Sequence, residues 1–321
     1  MALSRIGILT SGGDAPGMNA AIRAVARRAI YDGLEVVGVR HGFQGLISGD
    51  FQPLDLGSVG DIIHRGGTIL FTARSSAFLT EEGQRLAVDA LAQAGIEGLI
   101  IAGGDGSLRG AQALARRGVV TIGIPASIDN DLPFTQWSIG FDTAVNTALD
   151  AIDRIRDTAT SHERTFVIEV MGHSCGWIAL AAGLGGGAES ILLPEEPFSL
   201  DAIIERLDRG RARGKRHSII VVSEGTASAT DVAQAVTSRT GMETRVTILG
   251  HVQRGGSPTA VDRLLASQMG ARAVELLEAG ATGRVVGVRE GHLVDDEIEE
   301  ALEKPRQFPH QLAALAAILS I

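Results

Sequence analysis

The sequence predicts an α/β protein of two doubly wound domains with mainly parallel sheets. Short runs rich in Ile and Val alternate with longer segments of helical spacing, the pattern of a parallel sheet covered by helices on both faces. The chain has 321 residues, more than one hydrophobic core usually serves, and 45% of them are hydrophobic. Its 41 glycines stand beside Asp, Ser and apolar runs, so they indicate sharp turns rather than low complexity.

The predicted strands share an almost wholly apolar composition, as expected of strands buried on both faces. They cover residues 5–9, 35–40, 98–102, 119–124, 166–170, 218–222 and 245–249. Helices are predicted at 15–32, 82–94, 143–158 and 260–279. In the first helix, Ile22, Val25 and Ala29 recur at helical spacing. Arg23 and Arg27 share its opposite, polar face. The polar segments 157–164 and 211–217 are predicted as loops, and length alone suggests a domain boundary near residue 140.

Charge and composition exclude several classes of protein. Lys and Arg number 29 against 38 acidic residues, so the net charge of -9 gives no attraction to nucleic acid or anionic lipid. Aromatic residues make up only 4%, too few for a base-stacking platform. The single cysteine, Cys175, suits a reducing compartment. The N-terminal apolar run is too short for a signal peptide, and no run is long enough to span a membrane. We expect a cytoplasmic protein without nucleic-acid or membrane partners.

Polar or glycine-rich segments follow six of the predicted strands. They read TSGGDAPGMN, IAGGDGS, PASIDND, MGHSCGW, SEG and GHVQRGG. In an open α/β sheet, ligands bind beyond the carboxyl ends of the strands. A single glycine-rich turn is often only structural, but six are expected to converge on one edge of the sheet and so predict a binding site.

The first of these loops has the features of a phosphate site. Gly12 and Gly13 leave the backbone open to a ligand, and Asp14 is expected to cap the following helix, with Pro16 in its first turn. Backbone N–H groups and a helix N-terminus together attract phosphate. The chain has neither GxxxxGK[ST] nor GxGxxG at this turn, which excludes a P-loop and weakens a dinucleotide interpretation. A plain tight turn is the alternative.

The next two loops supply carboxylates. Asp105 stands among three glycines in IAGGDGS, where it serves either as a helix N-cap or as a ligand of Mg²⁺ between phosphates. In SIDND, Asp129 or Asp131 can accept a proton from an attacking hydroxyl, unless the segment is simply a turn. Positive charge for phosphate oxygens is available near element ends. The candidates are Arg74, Arg164, Arg245 and Arg254, with His251 nearby.

Taken together, these segments resemble ATP-dependent 6-phosphofructokinase of the short bacterial type. The resemblance covers almost the whole chain in order through TSGGDAPGMNAAIR, RGGT, TAR, GGDGS, SIDND, IGFDTA, EVMG, SEG, ETR and LGHVQRGGSP. It implies two Rossmann-like domains with the active site in the cleft between them. The ATP-binding domain would comprise 1–139 plus approximately 252–302, and the fructose-6-phosphate-binding domain approximately 140–251 plus 303–321.

The resemblance also implies roles for individual residues in phosphoryl transfer from ATP, with Mg²⁺, to fructose 6-phosphate in glycolysis. ATP would be bound by Gly13, Arg74, Ser75, Gly104, Asp105, Gly106 and Ser107, with Asp105 as the metal ligand. The substrate would be bound by Ser127, Ile128, Asp129, Arg164, Met171, Gly172, His173, Glu224, Arg245, His251 and Arg254. The catalytic residues would be Asp129, as base, with Ser127, Asp131, Arg74 and His173.

Assembly and regulation are implied in the same way. The resemblance indicates a homotetramer with shared active sites, in which Arg164 and Arg245 reach a neighbouring subunit. ADP or phosphoenolpyruvate would be effectors. Their site would comprise Arg23, Arg27, Arg156, Glu189, Arg213 and Lys215.

Three residues depart from the family pattern. Ser127 stands in place of Thr and keeps the hydroxyl, whereas His173 stands in place of Arg and is mostly neutral at pH 7. Leu56 replaces an Arg of the effector site, which predicts a weakened response to effectors.

The identity of the phosphoryl donor depends on two small residues. Pyrophosphate-dependent relatives carry Asp after GGD and Lys before the hydroxyl residue of the catalytic loop, and here these positions are Gly106 and Ala126. Gly106 leaves room for the α-phosphate of a nucleotide, so ATP is the expected donor. A pyrophosphate-dependent enzyme and a non-catalytic sugar-phosphate or nucleotide sensor remain alternatives. NAD kinase shares GGDG, but the later ETR and GHVQRGG segments argue against it.

Overall fold

The computed structural model describes residues 3–305 and 308–320, and the chain divides into two compact units. Unit 1 comprises Met1–Ile128, Leu132–Thr143 and Arg254–Arg306. Unit 2 comprises Asp129–Asp131, Ala144–Gln253 and Gln307–Ile321. Among the described residues, no helix is both long enough and apolar enough to cross a lipid bilayer.

Strands and helices alternate along both units. The strands are β1 (Arg5–Thr10), β2 (Glu35–Val39), β3 (Phe51–Leu54), β4 (Gly98–Gly103), β5 (Val120–Pro125), β6 (Thr165–Val170), β7 (Ser190–Leu192), β8 (Ser218–Ser223), β9 (Thr244–Ile248), β10 (Arg284–Arg289) and β11 (His292–Glu297). The helices are α1 (Met18–Tyr31), α2 (Gly42–Ser48), α3 (Glu81–Gln93), α4 (Asp105–Ala115), α5 (Phe141–His162), α6 (Trp177–Gly185), α7 (Leu200–Ala212), α8 (Ala229–Thr240), α9 (Ala260–Glu278), α10 (Ile298–Glu303) and α11 (His310–Leu319).

Each unit contains one sheet, and the strands of both sheets are mainly parallel. The order in unit 1 is β11-β10-β5-β4-β1-β2-β3, with antiparallel pairs only at its two ends. The order in unit 2 is β7-β8-β6-β9, and every pair is parallel. All residues of β4 and β8 are buried, because helices cover both faces of these sheets. The predicted α/β class is therefore confirmed.

Close helix packing supports the sheet of unit 1. Helix α1 buries Ile22, Val25 and Ala29, while Arg23 is half-buried and Arg27 exposed, as the helical spacing predicts. Helix α9 lies against α1 at Gly270, where an added Cβ would come within 2.8 Å of the Ala24 methyl. The absence of a side chain at Gly270 thus lets the two helices approach each other.

Two predicted loops are partly helical. Helix α5 continues to His162, so the first six residues of the segment 157–164 are helical. The prediction of a loop there was wrong. The hydroxyl groups of Thr160 and Ser161 donate hydrogen bonds to backbone carbonyls one turn earlier, so these polar side chains are compatible with a helix. The turn comes at Glu163, whose φ is 54°. Likewise, α7 extends through Ala212, and only the later part of segment 211–217 is a loop.

A buried carboxylate ties the start of α9 to the loop before α5. Asp262 is 1% exposed and accepts hydrogen bonds from the backbone N–H groups of Gly140 and Thr143, each at 2.8 Å. The Thr143 hydroxyl donates to the same carboxylate at 2.5 Å. This carboxylate therefore satisfies three donors in a buried part of unit 1.

We expect Asp262→Ala to lower the free energy of unfolding by about 2–4 kcal/mol, because two buried N–H groups lose their acceptor. Urea denaturation monitored by circular dichroism measures the change. Gln268→Ala, at an exposed position of the same helix, is the control and should change stability by less than about 0.5 kcal/mol. A loss no larger than that of the control would contradict the role assigned to Asp262.

Candidate active site

In unit 1, three of the predicted loops follow neighbouring strands. Strands β1, β4 and β5 lie side by side and parallel, so their carboxyl ends share one edge of the sheet. Backbone hydrogen bonds join these ends: Ser11 N–H donates to the carbonyl of Ala102 and Ala126 N–H to that of Gly103, both at 3.0 Å. Three of the six predicted loops therefore share one edge of the unit 1 sheet. The other three follow β6, β8 and β9 of the separate unit 2 sheet, so the prediction that all six converge on one edge was wrong.

Glycine residues shape the first loop, and Asp14 does not cap the helix that follows it. Gly12 has φ 85°, and its carbonyl accepts a hydrogen bond from the Thr72 hydroxyl at 2.7 Å. Helix α1 begins at Met18 and its N-cap is Gly17, with φ 110°. The prediction that Asp14 caps this helix was wrong, because Asp14 lies three residues before the N-cap.

Gly13 and Arg254 are in close contact within unit 1. A Cβ added at Gly13 would lie 2.4 Å from Nη1 of Arg254, so a larger residue would displace the guanidinium. The same Nη1 donates to the Asp14 carbonyl at 3.4 Å. Sequence reasoning placed Gly13 with ATP and Arg254 with the sugar phosphate. The structure places the Arg254 charge against the first glycine-rich loop.

The second loop passes from β4 into α4 through a tight turn. A Cβ at Gly103 would lie 2.5 Å from both the Ser11 carbonyl oxygen and the Ser107 hydroxyl, so only glycine fits. Asp105 is the first residue of α4 and Gly104 is its N-cap, so the alternative of Asp105 as N-cap is excluded. A negative charge in the first turn is favourable because the helix dipole is positive at this end.

Arg109, one turn along α4, contacts the Asp105 carboxylate with two nitrogens. Its Nε donates to Oδ2 at 2.9 Å and its Nη2 to Oδ1 at 3.2 Å. This interaction raises the pKa of Arg109. Arg109 was not among the predicted site residues, although the spacing of Asp and Arg four residues apart on a helix signals such a pair.

Gly106 differs from its neighbours in having open space around it. A Cβ at this position would meet no atom within 4 Å. Gly104 has Ser127 as its nearest side chain, at 3.9 Å from an added Cβ. Ser127 itself is fixed by its backbone, since its N–H donates to the Ile139 carbonyl at 3.1 Å and its carbonyl accepts from the Ser138 hydroxyl at 2.5 Å.

Arg74 and Ser75 lie in the segment that contacts the first loop. Thr72, two residues before Arg74, is the residue bonded to Gly12. Arg74 is exposed, and the Ser75 hydroxyl donates to the Gln44 side chain at 3.0 Å. The structure therefore places Arg74 two residues from a contact with the glycine-rich loop, with its side chain open to solvent.

In unit 2, Asp129 and Asp131 differ in burial. Asp129 is 9% exposed, whereas Asp131 is half-buried. Asn130 between them has φ 50°, a left-handed conformation that Asn tolerates better than most residues. The backbone carbonyl of Asp129 accepts a hydrogen bond from the Cys175 thiol at 3.0 Å.

Cys175 is a packed thiol. It is 4% exposed, and burial raises the pKa of its thiol to about 12. We expect the native protein to react with a thiol-specific disulfide reagent at pH 8 at least about 1,000-fold more slowly than the unfolded chain, because the thiolate is the reacting form. The released chromophore measures this rate, with guanidinium-unfolded protein as control. Labelling of the native protein at the rate of the unfolded chain would show that Cys175 is accessible.

The segment that follows β6 is fixed by one carboxylate of unit 2. Oε1 of Glu224 accepts hydrogen bonds from the backbone N–H groups of His173, at 2.8 Å, and Gly172, at 3.3 Å. His173 has φ 54° and an exposed side chain. The structure thus brings Glu224, Gly172 and His173 together.

Gln253 supports the segment after β6 and was not among the predicted site residues. It is fully buried, and its Oε1 accepts a hydrogen bond from the Met171 N–H at 2.9 Å. A polar residue inside the predicted GHVQRGG segment was the available signal. His251, two residues earlier, is exposed.

Arg164 and Arg245 share a single partner at the edge of the unit 2 sheet. Nε of Arg164 lies 2.9 Å from Glu243, and Arg245 forms an ion pair with the same carboxylate. The hydrogen bond from Arg164 lowers the pKa of Glu243. Strand β9 is the outermost strand of its sheet, and Ile248 on it is 57% exposed.

Four of the predicted effector residues lie in unit 2, and two of them, Glu189 and Lys215, are in contact. Nη2 of Arg156 donates to the carbonyls of Gly186 and Gly187, just after α6. Glu189 is 6% exposed and pairs with Lys215. Arg213 is the exposed C-cap of α7. In unit 1, Arg23 and Arg27 lie one turn apart on α1, and Leu56 is 51% exposed.

Within residues 3–305 and 308–320, no three His, Cys, Asp or Glu side chains form a cluster able to hold a metal ion. A divalent cation would therefore depend on few protein ligands. Mg²⁺ is commonly held by one or two carboxylates together with phosphate oxygens and water.

Comparison with known proteins gives consistent relationships. The family model described as phosphofructokinase matches residues 5–277. A protein of Listeria monocytogenes serotype 4b named ATP-dependent 6-phosphofructokinase is 58% identical over 99% of this chain and 100% of its own length. Among solved structures, the phosphofructokinase of Saccharomyces cerevisiae has a TM-score of 0.88 and 35% identity, covering 98% of this chain and 46% of the yeast chain.

A pyrophosphate-dependent phosphofructokinase from Marinobacter aquaeolei is also similar. Its TM-score is 0.85 with 25% identity, covering 96% of this chain and 86% of that chain. The ATP-dependent relative is thus much nearer in sequence than this pyrophosphate-dependent one. The chain belongs to the phosphofructokinase family.

Proposed function

We propose that this protein is an ATP-dependent 6-phosphofructokinase. It transfers the γ-phosphoryl group of ATP to the 1-hydroxyl of fructose 6-phosphate, giving fructose 1,6-bisphosphate and ADP in cytoplasmic glycolysis. The observation that carries the proposal is the 58% identity, over 99% of the chain, to a protein named for this activity. The two glycine-rich loops at neighbouring strand ends of unit 1 support it.

The donor is assigned to unit 1. Gly13 and Gly104 lie in the two glycine-rich loops, and Gly106 and Ser107 lie in the first turn of α4, a helix N-terminus that favours a phosphate group. Arg74 and Ser75 complete the proposed ATP site. Positive charge from Arg254, which lies against Gly13, offsets part of the phosphate charge there.

Mg²⁺ fits the donor set around Asp105. A hard oxygen ligand at an exposed helix start, with its side chain 41% accessible, suits a cation that keeps most of its water. When bound, the metal ion neutralises charge on the donor phosphates. Arg109 must release the Asp105 carboxylate to permit this, and an exposed pair of this type is worth only about 0.3–0.5 kcal/mol.

Asp129 is assigned as the proton acceptor for the 1-hydroxyl. A positioned carboxylate that takes this proton lowers the barrier to attack on the γ-phosphorus. The Cys175 thiol holds the Asp129 carbonyl, and the left-handed Asn130 turns the chain immediately after it. These contacts support a fixed position for the base. Ser127 and Asp131 are assigned as its companions.

The sugar phosphate is assigned largely to unit 2. The proposed binding residues are Ser127, Ile128, Met171, Gly172, His173, Glu224, His251 and Arg254, with Arg164 and Arg245 from a neighbouring subunit. Glu224 fixes the backbone of Gly172 and His173, which supports a preformed segment there. His173 offers an imidazole N–H in place of the guanidinium fork of the family pattern, so we propose that Arg74 bears more of the transition-state charge.

A homotetramer is the proposed assembly. Arg164 and Arg245 lie at the outer edge of the unit 2 sheet, beside an exposed β9. Their guanidinium groups therefore lie near a surface where a second subunit could bind. ADP or phosphoenolpyruvate is the proposed effector. The proposed effector residues are Arg23, Arg27, Arg156, Glu189, Arg213 and Lys215, and Leu56 is expected to weaken the response.

The choice of donor tests the proposed function. We expect steady turnover of fructose 6-phosphate with ATP and Mg²⁺, and a kcat/KM at least about 100-fold lower with pyrophosphate, because Gly106 accommodates the α-phosphate. Initial rates in a coupled assay with either donor measure this. Faster turnover with pyrophosphate would favour the pyrophosphate-dependent alternative, and no turnover with either donor would favour a sensor.

A further inference from the structure

Unit 2 contains a cavity that takes no part in the proposed reaction. It has a volume of about 180 Å³ and lies between β7, α7 and the C-terminal helix α11. A cavity of about 150 Å³ in another protein is large enough to hold benzene. The space is therefore sufficient for a compact molecule with a ring or a branched chain.

The cavity wall combines apolar groups with one guanidinium, two carboxylates and three serine residues, Ser190, Ser199 and Ser320. Leu180, Leu193, Ile203 and Ala316 contribute apolar surface, and Arg206 of α7 contributes positive charge. Phe198 also lines the cavity and is 41% exposed, so it gives an apolar edge open to solvent. This composition resembles a site for an apolar ligand that carries one charge.

Arg206 lacks a carboxylate partner within the described part of the chain. Its Nη1 donates to the Glu189 carbonyl at 2.9 Å and to the Ser190 hydroxyl at 3.0 Å. Neither acceptor is charged. Burial lowers the pKa of Arg206, since its charge is partly removed from water. An anion placed at this guanidinium would replace the lost hydration.

The carboxylates that also line the cavity are already engaged. Glu189 pairs with Lys215 and accepts the Ile219 N–H. Glu196 contacts the ring of His310 at 3.4 Å. Neither of these carboxylates contacts the Arg206 guanidinium, so its charge is available to a ligand.

We propose that this cavity binds a small monocarboxylate with a compact aromatic or branched aliphatic body. The two oxygens of a carboxylate suit the fork of Arg206, and the apolar body fills the remaining space. A phosphate fits less well, because it would bring up to two negative charges to a single guanidinium beside the carboxylates of Glu189 and Glu196. The cavity contains none of the proposed substrate residues, and of the proposed effector residues only Glu189 lines it.

The experiment uses benzoate as the probe on the intact protein. Isothermal titration should give saturable binding with a Kd on the order of 1 mM, consistent with a ligand of this size. Benzamide has the same shape without the charge and should bind at least about 10-fold more weakly, as should acetate, which lacks the apolar body. Crystals soaked in 4-bromobenzoate should show the anomalous bromine signal between α7 and α11.

Two variants and a control locate the interaction. Arg206→Gln should weaken benzoate at least about 10-fold by removing the charge, and Ala316→Phe should abolish binding by filling the cavity. Arg209→Gln, at an exposed position of the same helix, should leave binding unchanged. Thermal unfolding checks that each variant is folded. If Arg206→Gln does not fold, Ala316→Phe still provides a separate test. Equal binding to the folded variants, a bromine elsewhere, or no saturation at 20-fold the expected Kd would overturn the proposal.

Discussion

Replacing Asp129 with Ser is expected to lower kcat by about 100- to 10,000-fold, the range over which a positioned general base contributes to catalysis. The physical reason is that the 1-hydroxyl of fructose 6-phosphate must lose its proton as it attacks, and a serine hydroxyl is a far weaker acceptor than a carboxylate. The KM for the sugar phosphate should stay within about three-fold of wild type, because the base acts mainly in the transition state. Steady-state rates with saturating ATP and Mg²⁺ provide the measurement.

Asp131→Asn is the matched control for this prediction. The two carboxylates are two residues apart, but Asp129 is 9% exposed and Asp131 is half-buried. We expect the Asp131 variant to lose at least about 10-fold less kcat than Asp129→Ser, since it serves as a companion rather than as the acceptor. If Asp131→Asn were the more damaged enzyme and Asp129→Ser kept near-normal turnover, the base would have been assigned to the wrong carboxylate.

Gly106→Asp is expected to separate the phosphoryl donors. A Cβ at this position meets nothing within 4 Å, so the substitution should leave the fold intact. The new carboxylate would stand in the first turn of α4, where an α-phosphate must be accommodated. At about 4 Å, two like charges near a protein surface repel by up to about 4 kcal/mol, so kcat/KM for ATP should fall by about 100-fold or more.

Gly106→Asn distinguishes charge from size in this prediction. Asn has nearly the same shape as Asp but no charge, so we expect it to retain at least about 10-fold more ATP-dependent kcat/KM than Gly106→Asp. Equal losses in the two variants would attribute the effect to volume alone. An ATP-dependent rate within about three-fold of wild type in Gly106→Asp would contradict the proposed place of the nucleotide.

The central strands could be predicted from the sequence, whereas most strands at the margins could not. Residues in β1, β4 and β8 form continuous apolar runs because helices cover both faces of each strand. By contrast, β3 contains a proline, β7 has three residues and β11 ends in three acidic residues. Each of these lies at an edge of its sheet, where burial no longer imposes an apolar pattern. The apolar pattern of β10, with only Gly287 interrupting its valines, was recognisable but not predicted.

The candidate site was predictable to the extent that it consists of short motifs. Glycine-rich loops placed after strands identify where a ligand binds, because topology brings their carboxyl ends to one edge. Long-range packing carries no such local signal. The contact of Arg254 with Gly13 joins residues far apart in the chain, and the buried bond of Gln253 to Met171 does the same. Asp14 does not cap α1, because the left-handed Gly17 is the N-cap of that helix.

Product analysis tests the central claim most directly. Fructose 6-phosphate labelled with ¹³C at carbon 1, incubated with the protein, ATP and Mg²⁺, can be followed by ¹³C and ³¹P nuclear magnetic resonance. The account predicts one new phosphate ester, coupled to the labelled carbon, and one ADP for each molecule of ester. Phosphate on another carbon, or ADP release without a sugar ester, would contradict it.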